Sequence, residues 1–211
     1  MAARTIYLVR HGETEWNRVG RWQGVTDIAL SDTGRAQARA LVDRLHARGL
    51  VRVFASDLAR ARETAEIIAA AHGLAAPVFD ARLRERGFGC FEGLTREECA
   101  AQFPEAWERY HRDRRWTPPG AEIHEDVVKR VLKAMLDIAH TLRDQQAALV
   151  VSHGGTMRSF ANAITGTQPP PIANADILRV RYVRGRFTDV DLLTGADASG
   201  GHPAAPTARS L

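Results

Sequence analysis

Short apolar runs alternate along this chain with segments whose apolar residues recur at helical spacing. "TIYLV" (5–9) is β-rich and reads as a strand buried on both faces. "SDTGRAQARALVDRLHARGL" comes next, with Ala36, Ala40, Leu41, Leu45 and Ala47 near helical spacing and Gly49 as a stop. "VRVFAS" (51–56) reads as a second strand. Asp57 then stands where a cap belongs for the helix "LARARETAEIIAAAHG", which Gly73 ends. A short extended piece is expected from Pro77 to Phe79. Thr95 is placed to cap "REECAAQF", with Glu98 at the capping-box position. Residues 104–119, rich in Trp, Arg and Pro, read as irregular. From Ile123 to Leu142 a long helix is expected, carrying Val127, Val131, Leu132, Met135, Ile138 and Leu142 on one stripe. "AALVV" (147–151) gives a further strand and "TMRSFANAIT" a further helix. "DILRVRYV" and "RFTDVDLL" are set to pair as terminal strands across Arg184-Gly185.

Strands alternating with helices imply an α/β fold, three layers in the order α/β/α, with a largely parallel central sheet covered on both faces. At 211 residues and 45% hydrophobic, the chain is long enough for one substantial core. The expectation is a single domain over 1–194, with a cap segment near 95–122. Residues 195–211 turn to Ala, Gly, Ser, Pro and Thr and are expected to be disordered.

Composition narrows the function classes. The longest apolar runs fall short of a membrane span, and "MAARTIYLVRHG" lacks the pattern of a secretory signal, so no membrane partner is expected. Cys90 and Cys99 form neither a disulfide framework nor a C-x-x-C pair, which points to a reducing cytoplasm. The net charge of +4 is weak evidence for nucleic acid, since no long basic run or groove-reading motif accompanies it. Of the 29 basic residues only Lys129 and Lys133 are lysines. Arginine is the better fork for phosphate oxygens, although a GC-rich genome accounts for most of this bias.

One echo carries chemistry. "LVRHG" and "VVSHGG" both run an apolar strand into His-Gly. In parallel α/β sheets ligands collect beyond the carboxyl ends of the strands, where His11 and His153 would both lie and could share a pocket. A lone histidine after a strand is usually structural; two in matching contexts are less easily dismissed. Gly12, Gly154 and Gly155 would allow close backbone approach and leave room for a ligand against main-chain N–H groups.

These pieces, with "GRWQG", "ALSDTGRAQA", "ASDLARARETA" and "LRERGFGCFEGL" in the same order from Tyr7 to Arg158, resemble the histidine phosphatase superfamily, which includes the phosphoglycerate mutases. The resemblance implies a phosphoglycerate mutase-like fold and assigns roles by position. His11 matches the nucleophile that would carry a phosphoryl group. Arg10 and Arg60 match the phosphate-binding arginines, and His153 the second pocket histidine, a donor to the phosphoryl oxygens when protonated. Asn17 would add a neutral donor, and Thr14 would contact substrate or orient its loop. Gly24 and Gly154 fall among the substrate-binding positions. Glu85 matches the proton donor, a role that asks for a carboxyl pKa raised toward the working pH. The family's chemistry needs no metal and no cofactor.

Other candidates are weighed against that set. Glu92 is a chemical rival to Glu85 but reads as structural by position. Arg62 and Glu63 read as structural or surface residues; His46, His72 and His140 read as solvated. "HED" (124–126) does not read as a metal cluster, because adjacent helical residues point in different directions. In the cap, Trp107, Tyr110 and Trp116 with Arg109, Arg112, Arg114 and Arg115 either form the leaving-group side of the pocket or pack among themselves with the arginines in water. Where family members read "GGES" this chain reads "GAEI", keeping the carboxylate at Glu122 but losing a possible hydroxyl contact. The leading expectation is a metal-independent phosphatase acting on a small phosphorylated metabolite. Its alternatives are phosphoglycerate mutase-type transfer and an inactive phosphate-binding module. The terminal strands could support a homodimer.

Overall fold

A strand apolar at every central position needs a hydrophobic layer on each side, and the chain supplies both. The computed structural model describes residues 3–193, so the expected disordered tail lies outside the described residues. In β1 (Arg4–Arg10), Ile6 and Leu8 join one buried cluster while Tyr7 and Val9 join another, as the two-residue period of a strand requires. β2 (Leu50–Ala55), β3 (Val78–Phe79), β4 (Ala147–Ser152), β5 (Ile177–Val183) and β6 (Arg186–Leu193) complete a six-stranded sheet in the order β3-β2-β4-β1-β5-β6. The pairs β1–β4, β2–β4 and β2–β3 are parallel; β1–β5 and β5–β6 are antiparallel. The terminal hairpin turns at Arg184 (φ 51°) and Gly185 (φ 82°), both left-handed as a tight two-residue turn demands.

The helices are α1 (Glu15–Arg18), α2 (Asp32–Leu45), α3 (Ala59–Ala71), α4 (Arg96–Gln102), α5 (Pro104–Arg112), α6 (His124–Thr141) and α7 (Gly154–Thr165). Leu41 and Leu45 of α2 with Ala61, Ala65 and Ile68 of α3 cover the Tyr7 face. Val131, Met135 and Ile138 of α6 with Met157 and Phe160 of α7 cover the Ile6 face. The expected three layers and mostly parallel sheet are therefore present. Burying each such Leu, Ile or Phe contributes roughly 1.5–3 kcal/mol relative to exposure. Among the described residues no helix is long and apolar enough to cross a membrane.

Three local expectations are corrected. The inner face of α2 is Gly34, Ala38, Leu41 and Leu45, while Ala36, Ala40 and Ala47 are exposed; alanines at several phases obscure the true stripe. Asp57 does not cap α3. The Ala59 N–H at the start of that helix donates instead to Asp27 Oδ1 at 2.7 Å, and the Asp57 carboxylate takes two bonds from Arg84. Residues 104–119 are not wholly irregular, because α5 occupies their first part with Pro104 at the helix start, where its missing N–H costs nothing. Phe103, Ala106, Trp107 and Tyr110 turn one side of α5 onto a satellite cluster with Trp22, Phe88 and Phe91.

Parallel pairing brings two strand ends level. Arg10 pairs with Ser152, and Val151 lies between Val9 and Ala55. The carboxyl ends of β1 and β4 thus finish side by side, and the next residue of each is a histidine.

Candidate active site

His11 and His153 stand next to each other beyond these strand ends, ring centroids 5.1 Å apart. His11 Nδ1 is 2.7 Å from the Gly12 carbonyl oxygen. A carbonyl only accepts, so Nδ1 carries the proton and Nε2 keeps its lone pair. Burial, reinforced by the charges of Arg60 and Arg10, holds His11 well below the ordinary imidazole pKa. It is therefore a neutral imidazole with a defined tautomer.

Gly12 has a different use from the one expected. A Cβ there would lie 2.3 Å from the Gly34 carbonyl oxygen, and its N–H donates to Thr64 Oγ1 at 3.1 Å. Its small size serves contact between two backbones, not an open approach for a ligand.

Arg60, on the first turn of α3, is 1% exposed. Its Nη1 donates to Thr26 O (2.9 Å), its Nη2 to Gly24 O (2.8 Å) and its Nε to His153 Nδ1 (3.3 Å). Three of its five N–H groups are spent on aiming the fork, and two remain. Burial lowers its pKa to about 10, which leaves it cationic at neutral pH. Arg10 is anchored through Nη1 to Ile172 O at 2.6 Å, and burial also lowers its pKa, opposed by Glu85 and Asp176. Gly154 makes space for it, since a Cβ there would meet Arg10 Nε at 3.3 Å.

The tautomer of His153 is set by Arg60. An arginine only donates, so His153 Nδ1 accepts and its proton sits on Nε2, which is buried without a partner. Burial first, then Arg60 and His11, push its pKa well below the ordinary value. The neutral ring thus carries its one N–H at Nε2.

Glu85 is 9% exposed. Its Oε1 accepts from the N–H groups of Arg86 and Thr156, both at 2.9 Å, and its Oε2 from that of Gly155 at 2.8 Å. The Thr156 hydroxyl lies 3.1 Å from Oε1. Two of these donors belong to the first turn of α7, whose N–H groups have no partner within the helix.

Around these groups opens a cleft of about 920 Å³. Arg10, His11, Asn17, Gly24, Arg60, Glu85 and Gly154 line it; the fully buried His153 and Thr14 do not. Thr14 caps α1 in a reciprocal box with Asn17, and its hydroxyl donates to Gln23 Oε1 at 3.0 Å. Asn17 Oδ1 accepts from Thr14 N–H and from Asn174, whose amide also bonds His11 O at 3.0 Å. Gly24 has φ +53°, and a Cβ there would lie 1.9 Å from Glu92 Oε1. Glu92 is structural, accepting from Val25, Thr26 and Phe88.

In the segment 95–122, Trp107 and Trp116 pack into the satellite cluster and Arg109, Arg112 and Arg115 are exposed. Only Tyr110 and Arg114 of that set reach the cleft, beside Trp16, Trp22 and Phe88. Arg62 lies over the Phe79 ring and Glu63 pairs with Arg35, both outside the site. His46 and His140 are exposed, but His72 Nε2 is buried without a partner, contrary to the expectation that it is solvated. Among the described residues no group of three or more His, Cys, Asp and Glu is arranged to hold a metal ion, the "HED" residues included. Sequence reasoning missed Asp27, Thr64, Arg130, Thr156 and Asn174. They sit far in sequence from what they hold, and no local pattern marks them.

The family model described as histidine phosphatase superfamily (branch 1) matches residues 6–192. A glucosyl-3-phosphoglycerate phosphatase of Mycolicibacterium vanbaalenii is 35% identical over 184 residues, covering 84% of this chain and 80% of that protein. A probable phosphoglycerate mutase GpmB of Erwinia tasmaniensis is 38% identical over 163 residues, covering 76% and 74%. A mycobacterial glucosyl-3-phosphoglycerate phosphatase solved with VO3 superposes with a TM-score of 0.78 at 29% identity, over 90% of this chain and 98% of that one. Bacillus stearothermophilus YhfR superposes at 0.80 with 32% identity, over 90% and 96%.

Proposed function

The chain belongs to the histidine phosphatase superfamily, and on that premise we propose that it is a metal-independent phosphatase that hydrolyses a small phosphomonoester through a phosphohistidine on His11. The observation that carries this reading is the His11–Gly12 hydrogen bond. It leaves Nε2 as the nucleophilic nitrogen in a cleft whose lining includes the Arg10 and Arg60 guanidinium groups and the Glu85 carboxyl.

In the first step Nε2 attacks phosphorus and the ester P–O bond breaks. The Glu85 carboxyl gives its proton to the departing alkoxide. The positive charge that develops on the ring is met by the Gly12 carbonyl at Nδ1–H. The free N–H groups of Arg10 and Arg60 take the phosphoryl oxygens, where charge is spread in a loose transition state, and His153 accepts from Arg60 Nε behind them. In the second step Glu85 takes a proton from water, the water oxygen attacks phosphorus, the P–N bond breaks, and neutral His11 returns with orthophosphate. Asn17 and Gly24 belong to the substrate-binding wall, and Trp22, Phe88, Tyr110 and Arg114 would face the alcohol portion. A cleft of about 920 Å³ has room for an alcohol much larger than the phosphate itself.

The test is hydrolysis of p-nitrophenyl phosphate by wild type and His11→Ala with a chelator present, then a panel of metabolite phosphates that includes the phosphoglycerates. Activity that survives chelation and disappears with His11 is the expected result. Activity lost to chelator alone, or retained by the variant, contradicts the reading. Turnover confined to isomerising phosphoglycerates would replace it with a mutase.

A further inference from the structure

Arg130, on α6, uses every N–H of its guanidinium. Nε and Nη2 donate to the two carboxylate oxygens of Glu122 at 2.7 and 2.9 Å. Nη1 donates to the carbonyls of Arg82 (2.8 Å) and Arg84 (2.7 Å), and the second Nη2 N–H to the carbonyl of Glu85 (3.0 Å). The side chain is 18% exposed, so these bonds are partly shielded from water. Glu122 is tied to the same stretch: its N–H donates to Gly87 O at 2.9 Å, and its carbonyl accepts from Arg86 Nε at 2.8 Å. The segment that delivers Glu85 has only the short turn Ala81–Leu83 as regular structure. Arg130 ties the segment's carbonyls to α6, beside Ser152 Oγ on Leu83 O and Thr156 Oγ1 on Arg84 O, both at 2.8 Å, and the bidentate pair with Glu122 fixes the guanidinium plane.

Five donors meeting five acceptors is a geometry that only arginine satisfies; lysine brings three donors and no plane. We propose that Arg130, with Glu122 as its counter-ion, is a positioning residue that sets the reach of the Glu85 carboxyl and thereby the proton transfer to the leaving group. This rests on the reading of Glu85 as proton donor. Arg130 bonds the Glu85 carbonyl, not its carboxylate, so it fixes where that side chain starts and not what it binds.

The experiment exploits the leaving group. A nitrophenolate departs without help, whereas the alkoxide of glycerol phosphate needs the proton. kcat/KM, which reports the steps through P–O cleavage and not the dephosphorylation that both esters share, is measured on both for wild type, Arg130→Lys, Glu122→Gln, Glu85→Gln and the Arg130→Lys/Glu85→Gln double variant. Arg130→Lys is expected to lose about tenfold more kcat/KM on the alkyl ester than on the aryl ester. Glu122→Gln should go the same way by a smaller factor. In the Glu85→Gln background the extra loss should vanish, because the step it acts on is already gone. Equal losses on both esters, or an extra loss that persists without Glu85, would overturn the proposal and leave Arg130 a fold-supporting residue. If Arg130→Lys loses its near-ultraviolet circular dichroism, Glu122→Gln, which keeps the carbonyl bonds of Arg130, decides by the same ratio. If Glu85→Gln shows no leaving-group dependence, the proton-donor reading itself fails. If it does and neither Arg130→Lys nor Glu122→Gln does, only the positioning role fails.

Discussion

Replacing Gly155 by alanine tests the role of Glu85 with one carbon atom. The new Cβ would stand 2.6 Å from Glu85 Oε1 and 3.1 Å from its Cδ and Oε2. To restore ordinary contact the carboxyl must retreat by about 0.8 Å, and the bond from Gly155 N–H to Oε2 stretches with it. Gly155 is the second residue of α7 and is not among the glycines with positive φ. Alanine therefore costs no backbone strain there and gains about 0.5–1 kcal/mol of helix propensity. The atoms that must yield are the free end of a flexible side chain, so the fold tolerates the change. A displacement near 1 Å of a reacting group costs on the order of 10²-fold in rate. The expected outcome is a protein whose urea midpoint is unchanged or higher, with kcat/KM on glycerol phosphate down about 10²-fold and on p-nitrophenyl phosphate down far less. Wild-type turnover of the alkyl ester by Gly155→Ala would refute the claim that Glu85 works from this position. An equal loss on both esters would mean that the carbon disturbs the phosphate pocket and not the proton donor.

The same geometry yields two further outcomes. His11 and His153 are both held well below their ordinary pKa by burial and the neighbouring arginines. The unfolded chain therefore takes up two protons below about pH 6.5 that the native protein refuses. Stability contributed by these neutral rings is present above that pH and is lost as pH falls, by up to about 1.4 kcal/mol per pH unit for each ring. Urea melts of wild type and His11→Ala between pH 7.5 and 5.5 should show a shallower pH slope in the variant, and equal slopes would contradict the buried neutral His11. Orthophosphate or vanadate should also raise the melting temperature. Ligand at 100 times its Kd adds about 2.7 kcal/mol, and Arg60→Met should remove the shift; an unchanged shift would place the anion elsewhere.

The site is more legible in the sequence than its supports are. An apolar strand running into His-Gly twice places His11 and His153 at level strand ends, because strand, register and residue type are all local or come from parallel pairing. Arg60 can be matched by motif, but what aims it cannot: Thr26 O and Gly24 O are backbone atoms of a distant loop. The protonation of His153 is hidden for a similar reason, since its tautomer is set by the Nε of Arg60, ninety-three residues away. The α1 capping box is hard to see because its third residue is Asn17, not the usual Glu or Gln. The helix at 104–112 is readable from Phe103, Ala106, Trp107 and Tyr110 at i, i+3, i+4 and i+7, but the proline and arginine content around it masks that period.

The central claim is that His11 carries the phosphoryl group. The direct measurement is intact mass spectrometry of enzyme mixed with excess substrate in the presence of chelator and quenched within milliseconds into alkaline denaturant, where a phosphoramidate survives. The prediction is one added HPO3 per chain, located by fragmentation on the peptide containing His11 and absent from His11→Ala. Rapid turnover with no adduct at any time point, or an adduct on another residue, would contradict it.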